Sequence, residues 1–413
     1  FRKNQPMDEF ARAMITASGS THRFGPAVVY RDKRTPDEMA KIFSQAFLGT
    51  RLECARCHNH KTDPISTEEY YSMAALFAGV WHGAQHGMHS VRVANPGVMR
   101  VHLRGSAASL GQEVPPAGVS ALAGVNADFK LTSAASDAER RKAAADWMTN
   151  PANPLFSRVI VNRIWHHLIG KGLVRTTDNF GMMGEKPSHA ALLDWLAHQF
   201  VVDQWSVKKM IRRIVMSRTY RLASTGESVG WAGDPENRLI WRANRKRLTA
   251  EAIRDSILSV SGQLSMQQGG YTIRKFSQYD FGYEFNTIRR SVYVPLFRNT
   301  LLEVLETFDV ANPNVVSGRR SETTLPTQAL YLMNSPFVNA EAERAGERIS
   351  RNGVTDAERV RLAYRLALGR EPSAVEADVV MKFIGKSKTD QKSRAWSALA
   401  HSLFGSVDFR HLD

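Results

Sequence analysis

The two cysteines of this chain stand three positions apart in one short segment, Cys54-Ala55-Arg56-Cys57-His58. Two thiols at this spacing can add to the two vinyl groups along one edge of a haem, and the adjacent imidazole can bind the iron as its proximal ligand. The pattern therefore predicts a c-type haem held by Cys54, Cys57 and His58. Because haem of this kind is attached outside the cytoplasm, the motif also predicts an extracytoplasmic protein, either periplasmic or secreted.

The same segment allows other chemistries. It carries ligand atoms for zinc or another divalent metal on five side chains: Cys54, Cys57, His58, His60 and Asp63. Such a site would suit a metal-dependent hydrolase or lyase, although adjacent ligands at 57 and 58 fit one tetrahedral ion poorly because neighbouring side chains diverge. A third interpretation is a disulfide between the cysteines in a non-catalytic glycan-binding or surface protein.

A haem bound through His58 has a second axial position. His60 lies too close to His58 along the chain to reach the opposite face of the haem. The candidates that follow the motif are Met73, His82 and His86, with Met88 and His89 beyond them. Met73 shares a helical face with Tyr70 and Phe77, which fits a core residue equally well. Without a second ligand, the iron could react with peroxide or small ligands as well as pass electrons.

Helices are predicted on both sides of the motif. Five capping boxes mark helix starts: Thr35 with Glu38, Ser66 with Glu69, Ser136 with Glu139, Thr355 with Glu358, and Ser373 with Glu376. The first helix has Pro36 at its first position and is predicted to stop at Gly49, directly before the motif. Strand-like alternation is confined to residues near 90–103 and 291–294. The sequence predicts a mainly α, multi-helical protein with a few short strands near a linker and in mid-chain.

Residues Phe47–Ile65, followed by Tyr70-Tyr71, resemble the signature of secreted planctomycete cytochrome-like proteins. These proteins pair domains of unknown function fifteen-forty-nine and fifteen-fifty-three. The resemblance continues through segments typical of the second domain: Val161–Trp165, Asp178–Gly181, Pro187–His189, Leu193–Leu196, Arg247–Glu251 and Thr324–Leu330. It covers nearly the whole chain. Two positions depart from the expected pattern: Asn59 replaces Asp, which weakens a carboxylate-ligand role there, and Ala190 replaces Pro.

The resemblance implies secretion and a cytochrome-like association, often with sulfatase-like and carbohydrate-related neighbours, but no established reaction. The expected function is haem-based electron transfer or redox chemistry linked to breakdown of complex or sulfated polysaccharide. Whether the protein is an enzyme stays open.

Two domains are predicted around a segment rich in Gly, Ala, Ser and Pro that has no helical period. Residues 1–85 would be the C-terminal part of a cytochrome-like domain, 86–136 a linker with short strands, and 137–413 a helical C-terminal domain. The chain begins with Phe1 and reads as an amphipathic helix to Ala17, so a signal peptide is expected to lie outside this sequence.

The formal net charge is +15, from 55 Lys and Arg against 40 Asp and Glu. This charge favours acidic partners such as a redox protein or an anionic polysaccharide, whereas no recognised motif supports nucleic acid. No apolar run approaches the roughly 18 residues that a membrane span needs. Arg319, Arg320 and Thr324 precede the helix expected at Pro326 and form a candidate anion site, though a solvated turn fits as well.

Overall fold

The computed structural model of this chain describes most of its 413 residues. The ranges are 2–33, 35–85, 88–93, 95–122, 124–225, 228–270, 272, 283–297, 300–313, 317–388 and 391–412, with backbone alone at 32, 81–85, 88–90, 92, 93, 228 and 229. Helices dominate these ranges, and the few strands are short. The predicted mainly α fold is therefore confirmed. In the ranges described, no helix has both the length and the hydrophobicity that a bilayer span requires.

The chain forms two compact units, Phe1–Asn244 and Arg245–Asp413. The helices of the first unit are α1 (Met7–Ile15), α2 (Val29–Asp32), α3 (Pro36–Phe43), α4 (Thr67–Ala75), α5 (Asp137–Met148), α6 (Phe156–Ile169), α7 (Ala190–Val202), α8 (Val207–Val215) and α9 (Ser228–Gly233). Its strands are β1 (Gly19–Ser20), β2 (Val80–Gln85), β3 (Met88–Val93), β4 (Met99–His102) and β5 (Leu110–Val114). They make an antiparallel sheet in the order β1-β3-β2 and a separate antiparallel pair, β4-β5.

The predicted helix starts are confirmed at all five capping boxes. At α3, the Thr35 hydroxyl accepts from the Glu38 amide, and the Glu38 carboxylate accepts from the Thr35 amide at 3.1 Å. Each box satisfies backbone N–H groups that have no partner inside the helix, which fixes the residue at which the helix begins. Two of these helices, α3 and α4, flank the Cys-x-x-Cys-His segment.

One hydrophobic core serves the first unit from α1 to α8. The Phe43 ring of α3 stacks on Phe47 and Phe77 at 6.0 and 5.4 Å, and Phe47 in turn meets the edge of Phe156 in α6 at 5.9 Å. The segment expected to be a linker packs back on α4, since the Ala117 amide donates to the Ser72 carbonyl at 3.2 Å. Residues before and after 86–136 thus share one core. The compact units divide at 244 and 245, and the predicted domain ranges stay a prediction.

The second unit is built from seven helices and one strand pair in its described ranges. They are β6 (Lys246–Arg247), α10 (Ala250–Ser261), α11 (Glu303–Thr307), α12 (Pro326–Asn334), α13 (Pro336–Arg351), α14 (Asp356–Leu368), α15 (Ala374–Gly385), α16 (Lys392–Gly405) and β7 (His411–Leu412). Strands β6 and β7 pair antiparallel. Its core surrounds Trp396 and Phe404 of α16, together with Ile257 of α10 and Val338 of α13.

Acid is expected to weaken the second unit through Glu376 at the start of α15. Hydrogen bonds from Arg370 lower the Glu376 pKa to about 2, although burial opposes the shift. A folded pKa below the unfolded value of about 4.3 contributes stability above that pH, and the contribution disappears as the pH falls towards 2. Since these side chains are 39% and 32% exposed, screening reduces the effect to about 1 kcal/mol.

Unfolding of wild type and Glu376→Gln across pH 5 to 2 would measure this contribution, and the variant should show a flatter acid limb. Asp378→Asn on the same helix is the control, because its ion pair with Lys382 is 58% and 71% exposed. Identical acid limbs for wild type and Glu376→Gln would contradict the prediction.

Candidate functional site

The chain turns sharply at residues 44–49, here called the reversal, and the Cys-x-x-Cys-His segment that follows lies at the surface. Helix α3 continues into one π-helical turn, Ser44–Leu48, and ends at Gly49 with φ +59°. A Cβ at Gly49 would lie 2.9 Å from the Phe180 ring, and the Phe180 amide donates to the Gly49 carbonyl at 2.8 Å. Glycine is needed here both for the left-handed backbone and for this close approach.

Side chains from distant parts of the first unit hold the same reversal. The Arg163 guanidinium of α6 donates to the Ala46 carbonyl and, at 2.9 Å, to that of Gln45. Burial lowers the pKa of Arg163, and Asp178 partly opposes this. Asp178 accepts from Arg51 at 2.8 Å and from Gln45 at 2.7 Å. Although burial alone would raise the Asp178 pKa, these hydrogen bonds hold it below its ordinary value.

The two cysteines lie on and just after a short 3-10 turn, Glu53–Arg56, and both are exposed free thiols. His58 is exposed too, and its Nδ1 lies 2.6 Å from the Asn59 carbonyl oxygen. A carbonyl can only accept, so Nδ1 carries the proton and the Nε2 lone pair is left for a metal. Backbone-bonded imidazoles of this kind are typical metal ligands. The three side chains therefore fit the attachment of a c-type haem.

The β4-β5 pair lies against the motif, a contact that the sequence did not predict. The Tyr71 hydroxyl of α4 donates to the Arg56 carbonyl at 3.2 Å, and the Tyr71 ring lies 4.9 Å from the His102 ring. A Cβ at Gly105, whose φ is +76°, would lie 2.5 Å from Cys57 Sγ. No local pattern around His102 indicates this proximity, which depends on how the strand pair folds over α4.

His60 and Asp63 interact with each other in the loop that follows the cysteines. The His60 side chain is 7% exposed and its Nδ1 accepts from the Asp63 amide at 2.9 Å, so Nε2 carries the proton. That N–H lies 3.6 Å from Asp63 Oδ2. Nδ1 is thus hydrogen-bonded within the loop, and Nε2 lies within ion-pair distance of the Asp63 carboxylate. Where the structure is described, no group of three or more His, Cys, Asp or Glu is arranged to hold a metal ion. The non-haem site predicted from Cys54, Cys57, His58, His60 and Asp63 therefore stays a prediction without a converging geometry.

Asp63 also joins the motif loop to residues 179–184. Its Oδ1 accepts from the Met182 amide at 2.5 Å, and Gly181 lies so close to the carboxylate that a Cβ there would overlap Oδ2. The buried Asp63 carboxylate thus links its own loop to Met182, which lies 119 residues later in the sequence. The sequence did not indicate this pairing, because neither loop has a periodic pattern.

The structure describes the side chain of only one of the candidate second axial ligands, which is Met73. Met73 is 0% exposed in the core of the first unit, so an iron atom could reach it only by displacing packed side chains. His82 lies in β2 opposite Val91, but its side chain is outside the described residues, as is the whole of His86. The side chains of Met88 and His89 in β3 are likewise outside the described residues, and all of these candidates stay predictions.

The predicted anion site lies in the second unit, on the loop before α12. Arg320 forms an ion pair with Glu251 at 2.6 Å, and this bond lowers the Glu251 pKa against the effect of burial. Arg319 and Thr324 are exposed. Because one of the two guanidinium groups already has an acidic partner, an anion would compete with Glu251. The anion site is untested.

These features define a helical protein with an exposed Cys-x-x-Cys-His segment held by side chains from α6 and the loop after it. Residues 140–384 match the model of a family described as protein of unknown function (DUF1553), PSD1. Since this match covers more than half of the chain, the protein belongs to that family. Residues 1–82 match a second model, protein of unknown function (DUF1549), PSCyt2. The order of the two confirms the resemblance to planctomycete cytochrome-type proteins. No curated protein and no solved structure matches the chain.

Proposed function

We propose that this protein carries a covalent c-type haem on Cys54 and Cys57, with His58 as the proximal ligand. The observation that carries the proposal is the His58 Nδ1 contact with the Asn59 carbonyl at 2.6 Å, next to two exposed free thiols. This hydrogen bond fixes the imidazole tautomer that a metal requires and limits rotation of the ring. Neither thiol has to be released from a disulfide before it reacts.

Haem bound in this way would supply one-electron redox chemistry. The residues around it have separate roles in the proposal. Cys54 and Cys57 fix its edge, His58 holds the iron, and Gly105 permits the backbone to lie against Cys57 Sγ. Arg163 and Asp178 hold the preceding reversal, so the motif is positioned by packed elements on both sides.

The proposed setting is extracytoplasmic, because covalent haem attachment takes place there. The net charge of +15 supports an acidic redox partner, whose approach it would accelerate at low ionic strength. The same charge supports an anionic polysaccharide as a further partner, and the proposed role is electron transfer linked to breakdown of complex or sulfated glycans.

Haem attachment is tested by producing the chain with c-type maturation factors and recording a pyridine haemochrome spectrum and an intact mass. We expect one haem per chain in wild type and in Lys61→Ala, an exposed position in the same loop. Cys57→Ala should lose the two-thioether product, because one of the two attachment bonds cannot form. Wild-type protein without haem, from cells that mature a reference cytochrome, would overturn the proposal.

A further inference from the structure

Two adjacent methionines occupy the tip of a β-turn in the first unit. The Gly184 amide donates to the Gly181 carbonyl at 2.8 Å, which places Met182 and Met183 at the two central positions. These side chains are 74% and 70% exposed. Central turn positions usually hold Gly, Pro, Asn, Asp or Ser, whereas Met is an apolar residue that fills cores and binding surfaces. We call residues 181–184 the Met turn.

The Met turn is built as a fixed structure. Asn179 Oδ1 accepts from the Gly181 amide at 3.1 Å, and the Thr176 hydroxyl donates to the Asn179 carbonyl at 2.8 Å. The Thr176 oxygen in turn accepts from the Glu185 amide at 3.0 Å. Every one of these bonds holds backbone, so they fix where the turn lies and leave the two thioethers exposed.

The Met turn lies beside the motif loop. Its Met182 amide donates to Asp63 Oδ1 at 2.5 Å, and the Asp63 amide donates to His60 at 2.9 Å. His60 is two residues from His58, and two residues span at most about 7 Å. Two exposed sulfur ligands and the proposed proximal imidazole are therefore carried by neighbouring loops that one buried carboxylate joins.

We propose that the Met turn supplies the second axial ligand of the haem, through the thioether of Met182 or Met183. The inference rests on the haem attachment proposed above. A thioether is a soft ligand that iron accepts in haem proteins with Met and His axial ligands, where it raises the reduction potential. A haem held there would also cover apolar side chains that are otherwise in contact with water. In this arrangement a residue from the segment that matches the second family model, 140–384, would bind the haem carried by the segment 1–82.

The test compares matured wild type with Met182→Leu, Met183→Leu and the double variant. Leucine keeps an apolar side chain of similar size and removes the sulfur. We expect all four proteins to carry haem by pyridine haemochrome. The double variant and one single variant should lose the low-spin ferric signal in electron paramagnetic resonance and show a lower reduction potential. Met216→Leu, which changes a methionine that is 62% exposed at the end of α8, should behave as wild type.

A haem-bearing double variant with the wild-type spin state and potential would overturn the inference and leave haem attachment intact. In that case His102→Ala and Met73→Leu would identify the actual ligand. Wild type without haem would overturn both proposals together. Peroxide provides a second readout, because a coordinated thioether resists oxidation. The ligating methionine should form sulfoxide several-fold more slowly in haem-bearing wild type than in haem-free Cys54→Ala/Cys57→Ala. If neither Met182 nor Met183 differs in its oxidation rate between these two proteins, the inference would also be overturned.

Discussion

Replacing Asp137 by alanine is expected to lower the free energy of unfolding of the first unit by about 3 to 5 kcal/mol. Asp137 Oδ2 accepts from Arg141 Nε at 2.7 Å and from Nη2 at 2.5 Å, and the two side chains are 0% and 3% exposed. Burial alone would lower the Arg141 pKa, but the bond to Asp137 brings it above its ordinary value. Without Asp137 the guanidinium would stay charged and buried with no carboxylate partner.

The remaining bonds of Arg141 show why the loss would spread. Its Nη1 donates to the Ala17 carbonyl at 2.6 Å and to the Ile15 carbonyl at 3.3 Å, at the end of α1. The Tyr30 hydroxyl donates to the same Ile15 carbonyl at 2.5 Å. The ion pair at the start of α5 thus orients a guanidinium that also binds the end of α1, and loss of Asp137 is expected to weaken those bonds as well.

Urea unfolding followed by hydrogen exchange at α1 and α5 amides would measure the effect of Asp137→Ala. Lys142→Ala is the matched control on the same helix, since Lys142 pairs with Asp146 at the same spacing but the side chains are 74% and 43% exposed. An exposed pair contributes only about 0 to 1 kcal/mol. Equal losses in the two variants would show that burial does not decide the strength of this ion pair.

Features that depend on neighbours in sequence were predictable from the sequence. The five capping boxes each need only a Ser or Thr and a Glu three residues later, and all five form. The helical stop at Gly49 also depends on local backbone geometry. The same local signals indicated a mainly α fold, because helix contacts repeat every three or four residues.

Features that depend on distant contacts were not predictable in the same way. The contacts of Asp178 with Arg51 and of Met182 with Asp63 join positions 127 and 119 residues apart. No periodicity in either segment specifies its partner. The Gly- and Ala-rich stretch has the composition of a linker, yet part of it packs on α4 through Ala117. Composition indicates absence of helix there but does not indicate whether the backbone packs.

The candidate site was predictable in its chemistry but not in its surroundings. Cys54, Cys57 and His58 are recognised from spacing alone. The sequence placed His60 and Asp63 among alternative metal ligands, whereas the fold makes them partners of each other and gives Asp63 a structural bond to Met182. A ligand set read from sequence assumes that its side chains converge, and the folded loop decides which of them do.

The second large effect is expected in the second unit, where Gly346→Ala should destabilise the protein by about 1 to 3 kcal/mol or more. Alanine normally stabilises a helix relative to glycine by up to about 1 kcal/mol. At Gly346 of α13, however, a Cβ would lie 2.5 Å from the backbone nitrogen of Ser397 and 2.6 Å from its Cα in α16. Backbone atoms inside a helix cannot move aside singly, so α13 and α16 would have to separate around the buried Trp396.

Gly385→Ala on α15 isolates this packing effect from helix propensity, because apart from the adjacent residues and nearby backbone of its own helix, no atom lies within 4 Å of a Cβ at that position. The measurement is the urea midpoint of each full-length variant, with hydrogen exchange at α13 and α16 amides to locate the change. Gly385→Ala should be neutral or slightly more stable, and Gly346→Ala clearly less stable. The decisive result is the sign of the change in unfolding free energy for Gly346→Ala. If both alanine variants are more stable than wild type, helix propensity outweighs the contact with the Ser397 backbone, and the close approach of α13 to α16 at this point is contradicted.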